Sequence, residues 1–568
     1  MTEADIGVLV RDLQDLQRRV QTLEQRLGAR EGPPAGAEEP ATAEPEKALA
    51  RTAADAGPGL PSDALPIFGR ALLAIAGGYI LRTLTEMGLF SHAAGVTAGL
   101  VYGVAWLIVA VRLPEKPKFA AAVAAVTSVA IVAPLLWEAS ARLNAISSWT
   151  CAAVLAGYVV LSLALSVKAR SLVVPGIVSL ASAAVTGLLL LATHDLYPYT
   201  LALLAIAAAM EFEACRGREG GRRWFTAALA DLAVILLTWI VSRHELPEGY
   251  AAMPAHAALV AQSLLLGIYV ASAATRTLIQ GHCFSVFETA QTAAALAIGI
   301  GGAAASVTHI ASATAAVGLF ALAGGLACYV VSFVVAGLRM KWNFRAWATF
   351  GLFLVLAGTF LPFSGSQYWI PWCACAVACC WTAQASHRPT LGLHGAVYLL
   401  LGSLASGLMA QPLAQLFGAG GGAPEWGWAS LVVASAWLSW VAVVLSSPAE
   451  TARWRNQASS FIFAAIVAWI LAGAGTYGMV AIWPGSGIPA DTLATVFLTC
   501  FSVALAWSGI RWQKKELVWL VYGFMALAAW KLAARDFQHE HSLALVASLL
   551  SYGGTLILLP RILQSKTA

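Results

Sequence analysis

Residues 65–90, LPIFGRALLAIAGGYILRTLTEMGLF, mark the point at which this chain changes from water-soluble to apolar sequence. An apolar run of about 20 residues can cross the roughly 30 Å hydrocarbon core of a bilayer as a helix. Over the whole chain 59% of residues are hydrophobic and 11% are charged, whereas about a quarter of the residues in soluble domains are charged. The composition therefore predicts an integral membrane protein whose main partner is the lipid bilayer, and it argues against a nucleic-acid partner.

The change in composition divides the chain into three predicted regions. Residues 1–28 form a coiled-coil helix, because Leu, Ile and Val recur at heptad seam positions from Ile6 to Leu27. Residues 29–64 are a Pro-, Ala- and Glu-rich linker that lacks the apolar surface needed to order it. Residues 65–568 form the transmembrane domain. We expect a homo-oligomer formed through residues 6–27; an amphipathic helix docked on the membrane domain or lying on lipid is the alternative.

The predicted transmembrane domain contains about 18 apolar segments, each long enough to span a bilayer. This predicts an all-α polytopic membrane protein built of about nine serial helical hairpins. Lysine and arginine concentrate in the loops on the side of the N-terminus, and the other loops contain only Arg142, Arg243 and Arg535. The positive-inside rule therefore predicts that both termini are cytoplasmic.

A repeated pattern suggests that the hairpins arose by duplication. Residues 157–168, GYVVLSLALSVK, are similar to residues 328–339, CYVVSFVVAGLR. In both segments a tyrosine is followed ten residues later by a basic residue, and Tyr102 and Arg112 repeat this spacing. The alternative is that any pair of spans has such a length and that aromatic residues favour membrane borders in any case.

Four charged residues in the first and seventeenth predicted spans form a candidate polar pocket. Arg82 and Glu86 share one helical face and can pair, and Lys531 and Arg535 repeat the same four-residue spacing. If the first and last hairpins meet, Glu86 reaches Lys531 or Arg535. Ionisable residues within membrane spans usually face the bundle interior or a water-filled cavity. The alternative is a structural ion pair that fixes the first span against the bundle.

Two further acidic residues are candidate ion or proton sites. Asp231 in the seventh span and Glu288 in the ninth lie a short distance inside the predicted membrane border on the cytoplasmic side. An intramembrane carboxylate can bind a proton or a cation. Each of them could equally accept hydrogen bonds from a neighbouring threonine or glutamine, such as Gln291.

The histidines and cysteines predict no metal site and no cofactor. Residues 372–380, WCACAVACC, lie in a predicted span, where cysteine behaves as a small apolar residue. We find no phosphate-binding loop, no nucleophile elbow and no other catalytic constellation. Most of the ten histidines fall in predicted outer loops, where clustering would suggest a periplasmic site but scatter is expected; these are His92, His194, His244, His256, His309, His539 and His541.

The chain resembles a family of large bacterial membrane proteins, the domain of unknown function number two-three-three-nine. The resemblance lies in the heptads of residues 6–27, the Pro/Ala/Glu linker, the span of residues 69–88 and hairpins such as residues 196–224. It implies a many-span protein of the bacterial inner membrane with a cytoplasmic coiled coil. It implies no reaction and no ligand.

Two functional hypotheses follow from these features. The leading one is a non-enzymatic scaffold or transporter-like membrane body that self-associates, with an envelope protein or lipid as a further candidate partner. The alternative is a membrane-embedded enzyme that acts on an envelope lipid or glycan at the periplasmic face. Convergence of Arg82, Glu86 and Lys531 on a cavity open to the periplasm would favour an enzyme or a transporter. Separate side chains without access to water would favour the scaffold.

Overall fold

A computed structural model describes residues 64–564 with several short gaps. The predicted coiled coil and nearly all of the predicted linker lie outside the described residues. The gaps are 88, 114–117, 170–172, 219–222, 244–246, 308–309, 338–340, 363–366, 418–425, 446–453, 483–488 and 539–541.

Every regular element within the described ranges is a helix, as the long apolar runs predict. The helices of the first half are α1 (Ala64–Glu86), α2 (His92–Arg112), α3 (Lys118–Trp137), α4 (Ser148–Ala169), α5 (Val173–Thr193), α6 (Leu196–Cys215), α7 (Arg223–Val241), α8 (Ala257–Ala274) and α9 (Val286–Val307). The helices of the second half are α10 (Ala311–Gly337), α11 (Lys341–Phe360), α12 (Ile370–Ser386), α13 (Pro389–Ala405), α14 (Ala410–Leu416), α15 (Trp426–Leu445), α16 (Trp454–Ile482), α17 (Ala490–Arg511), α18 (Lys515–Ala534) and α19 (Ser542–Gln564).

Three of these helices change geometry at one end. A short π-helical turn, Glu138–Arg142, continues α3, and a second one, Thr275–Ile279, continues α8. Such turns are rare and are found frequently at functional sites. Helices α13 and α14 are separated by a bend of 58°.

The structure confirms an all-helical fold over the described residues, and its long apolar helices are compatible with a polytopic membrane protein. Within the described ranges 14 helices are long and apolar enough to cross a membrane, or up to 15 if the bent pair α13 and α14 is one span. Helix α12 has only 17 residues, and α11 begins with the polar sequence KWNFR. The predicted count of about 18 spans is therefore not confirmed, although each predicted segment coincides with a helix or with the bent pair.

Many helices that follow one another in sequence pack side by side, and α10 and α11 share the most extensive contact. Glycines make this contact possible. A Cβ atom added to Gly325 would lie 2.8 Å from the Val355 side chain and 2.9 Å from its backbone nitrogen, and one added to Gly351 would lie 3.0 Å from the Gly325 oxygen. Small residues allow helix backbones to meet in this way inside membranes.

Replacing Gly325 with valine should therefore force α10 and α11 apart. We expect the free energy of unfolding to fall by about 1–3 kcal/mol, which is typical of an overpacked interior. Thermal unfolding of the purified protein in detergent measures the loss. Gly301→Val in α9 is the matched control, because a Cβ atom there meets nothing within 4 Å. Equal unfolding temperatures for the two variants would contradict the proposed close contact.

The tyrosines of the repeated pattern have related but unequal roles. The Tyr102 hydroxyl in α2 donates to the Ala74 carbonyl in α1, at 3.1 Å. The Tyr158 hydroxyl in α4 lies 2.6 Å from the Ser128 hydroxyl in α3. Tyr329 in α10 instead contacts His394 in α13. Tyr102 and Tyr158 thus each bind the helix directly before their own, whereas Tyr329 does not. Duplication of the hairpins stays a prediction.

Candidate functional site: buried charges between helices

A network of four charged side chains connects α6, α7, α8 and α9. Successive helices run in opposite directions, so the ends of α6 and α8 lie beside the beginnings of α7 and α9. We call this side of the helices, where α1 also begins, the proximal side, and the opposite side the distal side. Each helix contributes one member of what we call the proximal network, which consists of Glu211, Arg223, Arg276 and Glu288.

The proximal network alternates in charge and is shielded from solvent. Arg223 lies 3.3 Å from Glu211 and 3.9 Å from Glu288. The Nε atom of Arg276, on the π-helical turn after α8, lies 2.5 Å from Glu288. All four side chains are between 4% and 8% exposed. The two positive and two negative charges cancel, so the helices can bury them without net charge.

Neutral groups complete the proximal network. The Ser272 hydroxyl donates to Glu211 at 2.6 Å, and the Arg223 guanidinium lies 4.6 Å from the centre of the Phe287 ring, which is a cation–π contact. Charged groups in a low-dielectric site require such hydrogen bonds in addition to their ion pairs. The network therefore fixes the relative positions of four helices.

Glu288, predicted as an ion or proton site, is part of the proximal network. One of its oxygens accepts from the backbone N–H of Ser285 at 2.8 Å, and the Ser285 hydroxyl accepts from the Glu288 N–H at 3.2 Å. This reciprocal pair is a capping box that begins α9. The other carboxylate oxygen pairs with Arg276. Both oxygens are thus engaged by the protein, which favours a structural role for Glu288.

Asp231, the other predicted ion or proton site, lies deeper in α7 than Arg223. The amide nitrogen of Gln291 in α9 donates to both of its carboxylate oxygens, each at 3.0 Å. Gln291 is the hydrogen-bond donor that the sequence suggests. The pair connects α7 to α9 about 12 Å further into the span than Arg223, at 1.5 Å per residue.

On the distal side, Lys531 is completely buried between two carboxylates. Its ammonium nitrogen lies 3.2 Å from Asp491 at the beginning of α17 and 3.2 Å from Asp536. It also donates to the Asp491 carbonyl at 2.6 Å and to the Thr495 hydroxyl at 3.3 Å. Thr495 in turn donates to Asp536 at 2.8 Å. These groups connect α17, α18 and the turn that follows α18, and we call them the distal cluster.

Arg535 lies at the edge of the distal cluster. It is 44% exposed, its Nε atom lies 3.9 Å from Asp491, and it donates to the carbonyl of Phe417 after α14 at 2.6 Å. Arg535 thus joins the region after α14 to the beginning of α17 and the end of α18.

Arg82 lines a cavity instead of joining Lys531 and Arg535. Its guanidinium lies 2.8 Å from Glu138, on the π-helical turn after α3. The side chain of Glu86 lies outside the described residues. The described contacts therefore divide the predicted polar pocket in two: Arg82 pairs with a residue of α3, whereas Lys531 and Arg535 pair with Asp491 in α17.

The cavity beside Arg82 has a volume of about 150 Å³ and lies between α1, α2 and α3. Its walls are mainly apolar, and the polar side chains among them are Tyr79, Arg82, Thr85 and Glu138. The principal lining residues are Ile75, Gly78, Val96, Gly99, Ile131 and Leu135. A concave apolar surface with a few polar groups at one place is typical of a small-molecule site.

A buried histidine in α13 was not singled out from the sequence. The Nδ1 atom of His394 lies 3.3 Å from the Tyr329 hydroxyl, which also lies 3.3 Å from the Tyr398 hydroxyl. His394 and Tyr398 are four residues apart in the apolar stretch LGLHGAVYLL, so a histidine within a span was the available signal. The three side chains join α10 to α13 across an otherwise apolar interior.

The described histidines and cysteines form no metal site. His194 packs its ring against Tyr250, and His256 immediately precedes α8. Within the described ranges, no three His, Cys, Asp or Glu side chains come together in a way that could hold a metal ion. The cysteines are free thiols, and Cys379 and Cys380 pack in the apolar core of α12 and α13.

The number of long apolar helices supports one class of protein, a multi-pass helical membrane protein. Comparison of the chain with protein-family models, curated proteins and solved structures finds no match. The resemblance to the bacterial membrane-protein family described above therefore stays a prediction.

Proposed function

We propose that the chain is a self-associating scaffold of the bacterial inner membrane, with a transporter-like helical body and a non-enzymatic role. The pairing of the buried charges carries this proposal. The proximal network and the distal cluster each hold their charged groups against opposite charges from neighbouring helices. Charges engaged in this way stabilise a fixed arrangement of helices, which a scaffold needs.

The proposed topology follows from the loop charges. About 18 spans form about nine hairpins, with both termini cytoplasmic and lysine and arginine retained on that side. Three loop arginines lie on the periplasmic side in this arrangement; these are Arg142, Arg243 and Arg535. Residues 6–27 extend from the membrane through the linker and associate with the same segment of other copies.

Removal of residues 1–28 tests self-association. We expect the full-length protein in detergent to be an oligomer and the truncated protein to be a monomer, because the heptad seam supplies the contact. Light scattering coupled to size-exclusion chromatography measures the mass. An unchanged mass after truncation would contradict the role of the heptads.

Point variants test whether the apolar seam residues themselves, and not only the presence of residues 1–28, cause the protein to form an oligomer. Asparagine at three seam leucines should reduce the mass as truncation does, since buried polar groups weaken the seam. The seam variants are Leu9→Asn, Leu16→Asn and Leu23→Asn. Asparagine at three outward positions should leave the mass unchanged. These matched controls are Gln14→Asn, Gln21→Asn and Gln25→Asn.

A membrane-embedded enzyme that acts on an envelope lipid or glycan is the second candidate. The cavity between α1, α2 and α3 favours it, because Arg82 and Glu138 place a cation and a potential general base beside an apolar pocket. Incubation of the purified protein with radiolabelled membrane lipids, followed by chromatography of the products, distinguishes the two. If the protein is a scaffold, the lipids stay unchanged. If a product forms and the Glu138→Gln variant does not form it, the protein is an enzyme and the scaffold proposal is wrong.

A further inference from the structure

The cavity between α1, α2 and α3 is formed because α1 touches α2 at two separated places. Near its middle, α1 accepts a hydrogen bond from Tyr102 at the Ala74 carbonyl. Near its end, Thr85 lies where a side chain on Gly95 of α2 would be. Between these contacts α1 and α3 enclose the cavity, and only 6% of the residues in the membrane-spanning part of α1 are buried. The cavity therefore opens sideways, toward the lipid that surrounds a membrane helix.

Helix α3 helps to keep the cavity open. Pro134 lies within α3 and lines the cavity. Proline cannot donate to the carbonyl four residues earlier, here that of Ala130, and its ring bends a helix. Four residues later the π-helical turn begins with Glu138, whose side chain points to Arg82. The break in α3 and the ion pair thus occur at the same end of the cavity.

The cavity has a polar end and an apolar end. Arg82 lies about 27 Å along α1 from Ala64, at 1.5 Å per residue, which places it near the distal border of the hydrocarbon core and within reach of the lipid headgroups. Ile75 lies about 10 Å back toward the centre of the membrane. A ligand that fills both ends must carry a polar group and an apolar chain joined lengthwise, as a phospholipid does.

The charges at the polar end fit a headgroup with both signs of charge. Arg82 is 42% exposed and Glu138 is 20% exposed, so each can accept a further partner from the cavity. A phosphate matches the guanidinium, and a primary ammonium can donate hydrogen bonds to the carboxylate. A headgroup of net negative charge would be attracted by Arg82 but repelled by Glu138. A zwitterion therefore meets an opposite charge at both residues, whereas an anion meets one only at Arg82.

We propose that this cavity binds one phosphatidylethanolamine molecule of the distal leaflet, with its phosphate on Arg82, its ammonium on Glu138 and the upper part of one acyl chain between Ile131 and Leu135. A volume of 150 Å³ accepts an apolar group of about the size of benzene. The remainder of the chain leaves through the open side and lies along the exposed face of α1. This assignment goes beyond the scaffold proposal and does not depend on self-association.

Native mass spectrometry of the full-length protein tests the proposal. The delipidated protein in detergent is titrated with phosphatidylethanolamine, phosphatidylcholine and phosphatidylglycerol that carry the same acyl chains. We expect the first ethanolamine lipid to bind about tenfold more tightly than either of the others, because charge-assisted hydrogen bonds to both residues require its phosphate and its ammonium. Equal affinity for the three lipids, or tighter binding of the glycerol lipid, would overturn the assignment.

Variants of α1 and α3 assign the binding to this cavity. Arg82→Gln should weaken phosphatidylethanolamine binding about tenfold, whereas Arg70→Gln on the same helix, outside the cavity, should not. Glu138→Gln should remove the preference for the ethanolamine over the glycerol lipid. If Arg70→Gln and Arg82→Gln have equal effects, or if Glu138→Gln keeps the preference, the lipid is bound elsewhere.

A space-filling variant tests the apolar end. A Cβ atom on Gly78 would lie 3.5 Å from Ile131, which is ordinary contact, so a leucine there fits the backbone and extends into the cavity. Gly78→Leu should abolish the tight binding. Gly69→Leu, where a Cβ atom meets nothing within 4 Å, is the matched control. Retained binding in Gly78→Leu would contradict occupation of the cavity.

Discussion

Replacing Lys531 with methionine should reduce the free energy of unfolding by about 3–5 kcal/mol, which is the usual cost of breaking a buried ion pair by removing one partner. Lys531 is 0% exposed and lies between Asp491 and Asp536. Methionine has a similar length and fills the same space, so the variant removes the charge without creating a large cavity. The two carboxylates then lose the buried cation that they share.

Thermal unfolding in detergent, followed with a dye that reacts with thiols, measures this effect. Several cysteines are buried in the folded protein and become reactive when it unfolds; these are Cys151, Cys328, Cys373, Cys379 and Cys380. The matched control is Lys515→Met, an exposed lysine at the beginning of the same helix. If Lys531→Met unfolds at the same temperature as the control, the distal cluster does not stabilise the fold.

A second substitution that restores part of the stability identifies why Lys531→Met is destabilising. Adding Asp536→Asn to Lys531→Met removes one of the two carboxylates that lack a cation, and should therefore recover part of the stability. In the wild-type background the same Asp536→Asn change should be destabilising, because it weakens the contact with Lys531. This reversal of sign is expected only if the two charges act on each other.

The sequence predicts the helices much better than it predicts the partners of the charged residues. An apolar run of fixed length is a local property, and the runs of residues 65–90 and 516–534 coincide with α1 and α18. Lysine within such a run is a local signal too, which is why Lys531 could be selected. Its partner Asp491 could not be, because it lies 40 residues away at the border between a loop and α17.

The proximal network shows the same limit. Glu211 and Arg223 lie near the ends of α6 and α7, where charged residues look like ordinary loop residues. Helical periodicity tells which residues share a face of one helix, but not which faces of different helices meet. Glu138 was likewise hidden beyond the end of its predicted span. A charge within an apolar run can be recognised from the sequence at Arg82 and Glu288, whereas the partners of these residues are visible only in the packed structure.

Replacing Arg276 with methionine should disrupt the proximal network and destabilise the protein by about 3–5 kcal/mol, for the same reason as at Lys531. Arg276 is 7% exposed and makes the shortest ion pair of the network, with Glu288. Its loss leaves two glutamates against one arginine in a buried place. Arg216→Met is the matched control, since Arg216 is 54% exposed and lies 3.7 Å from Glu213.

The combination of Arg276→Met with Glu288→Gln decides whether charge or packing causes the loss. Glutamine can still accept the hydrogen bond from the Ser285 N–H that begins α9, so the capping box is kept. The double variant has one glutamate and one arginine left, Glu211 and Arg223, which still pair at 3.3 Å. It should therefore be more stable than Arg276→Met alone, with a coupling of about 0.5–3 kcal/mol, as found for residues in contact.

The sign of that coupling bears on the proposed function. If the double variant is more stable than Arg276→Met, each buried charge of the network needs a buried opposite charge. Such a network holds the helices in a fixed arrangement, as a scaffold requires. If instead the two changes add, Arg276 acts through its packing, and Glu288 does not depend on it for neutralisation. The charges near α7 would then lose their structural explanation, and Asp231 and Glu288 would return as candidates for proton or cation binding.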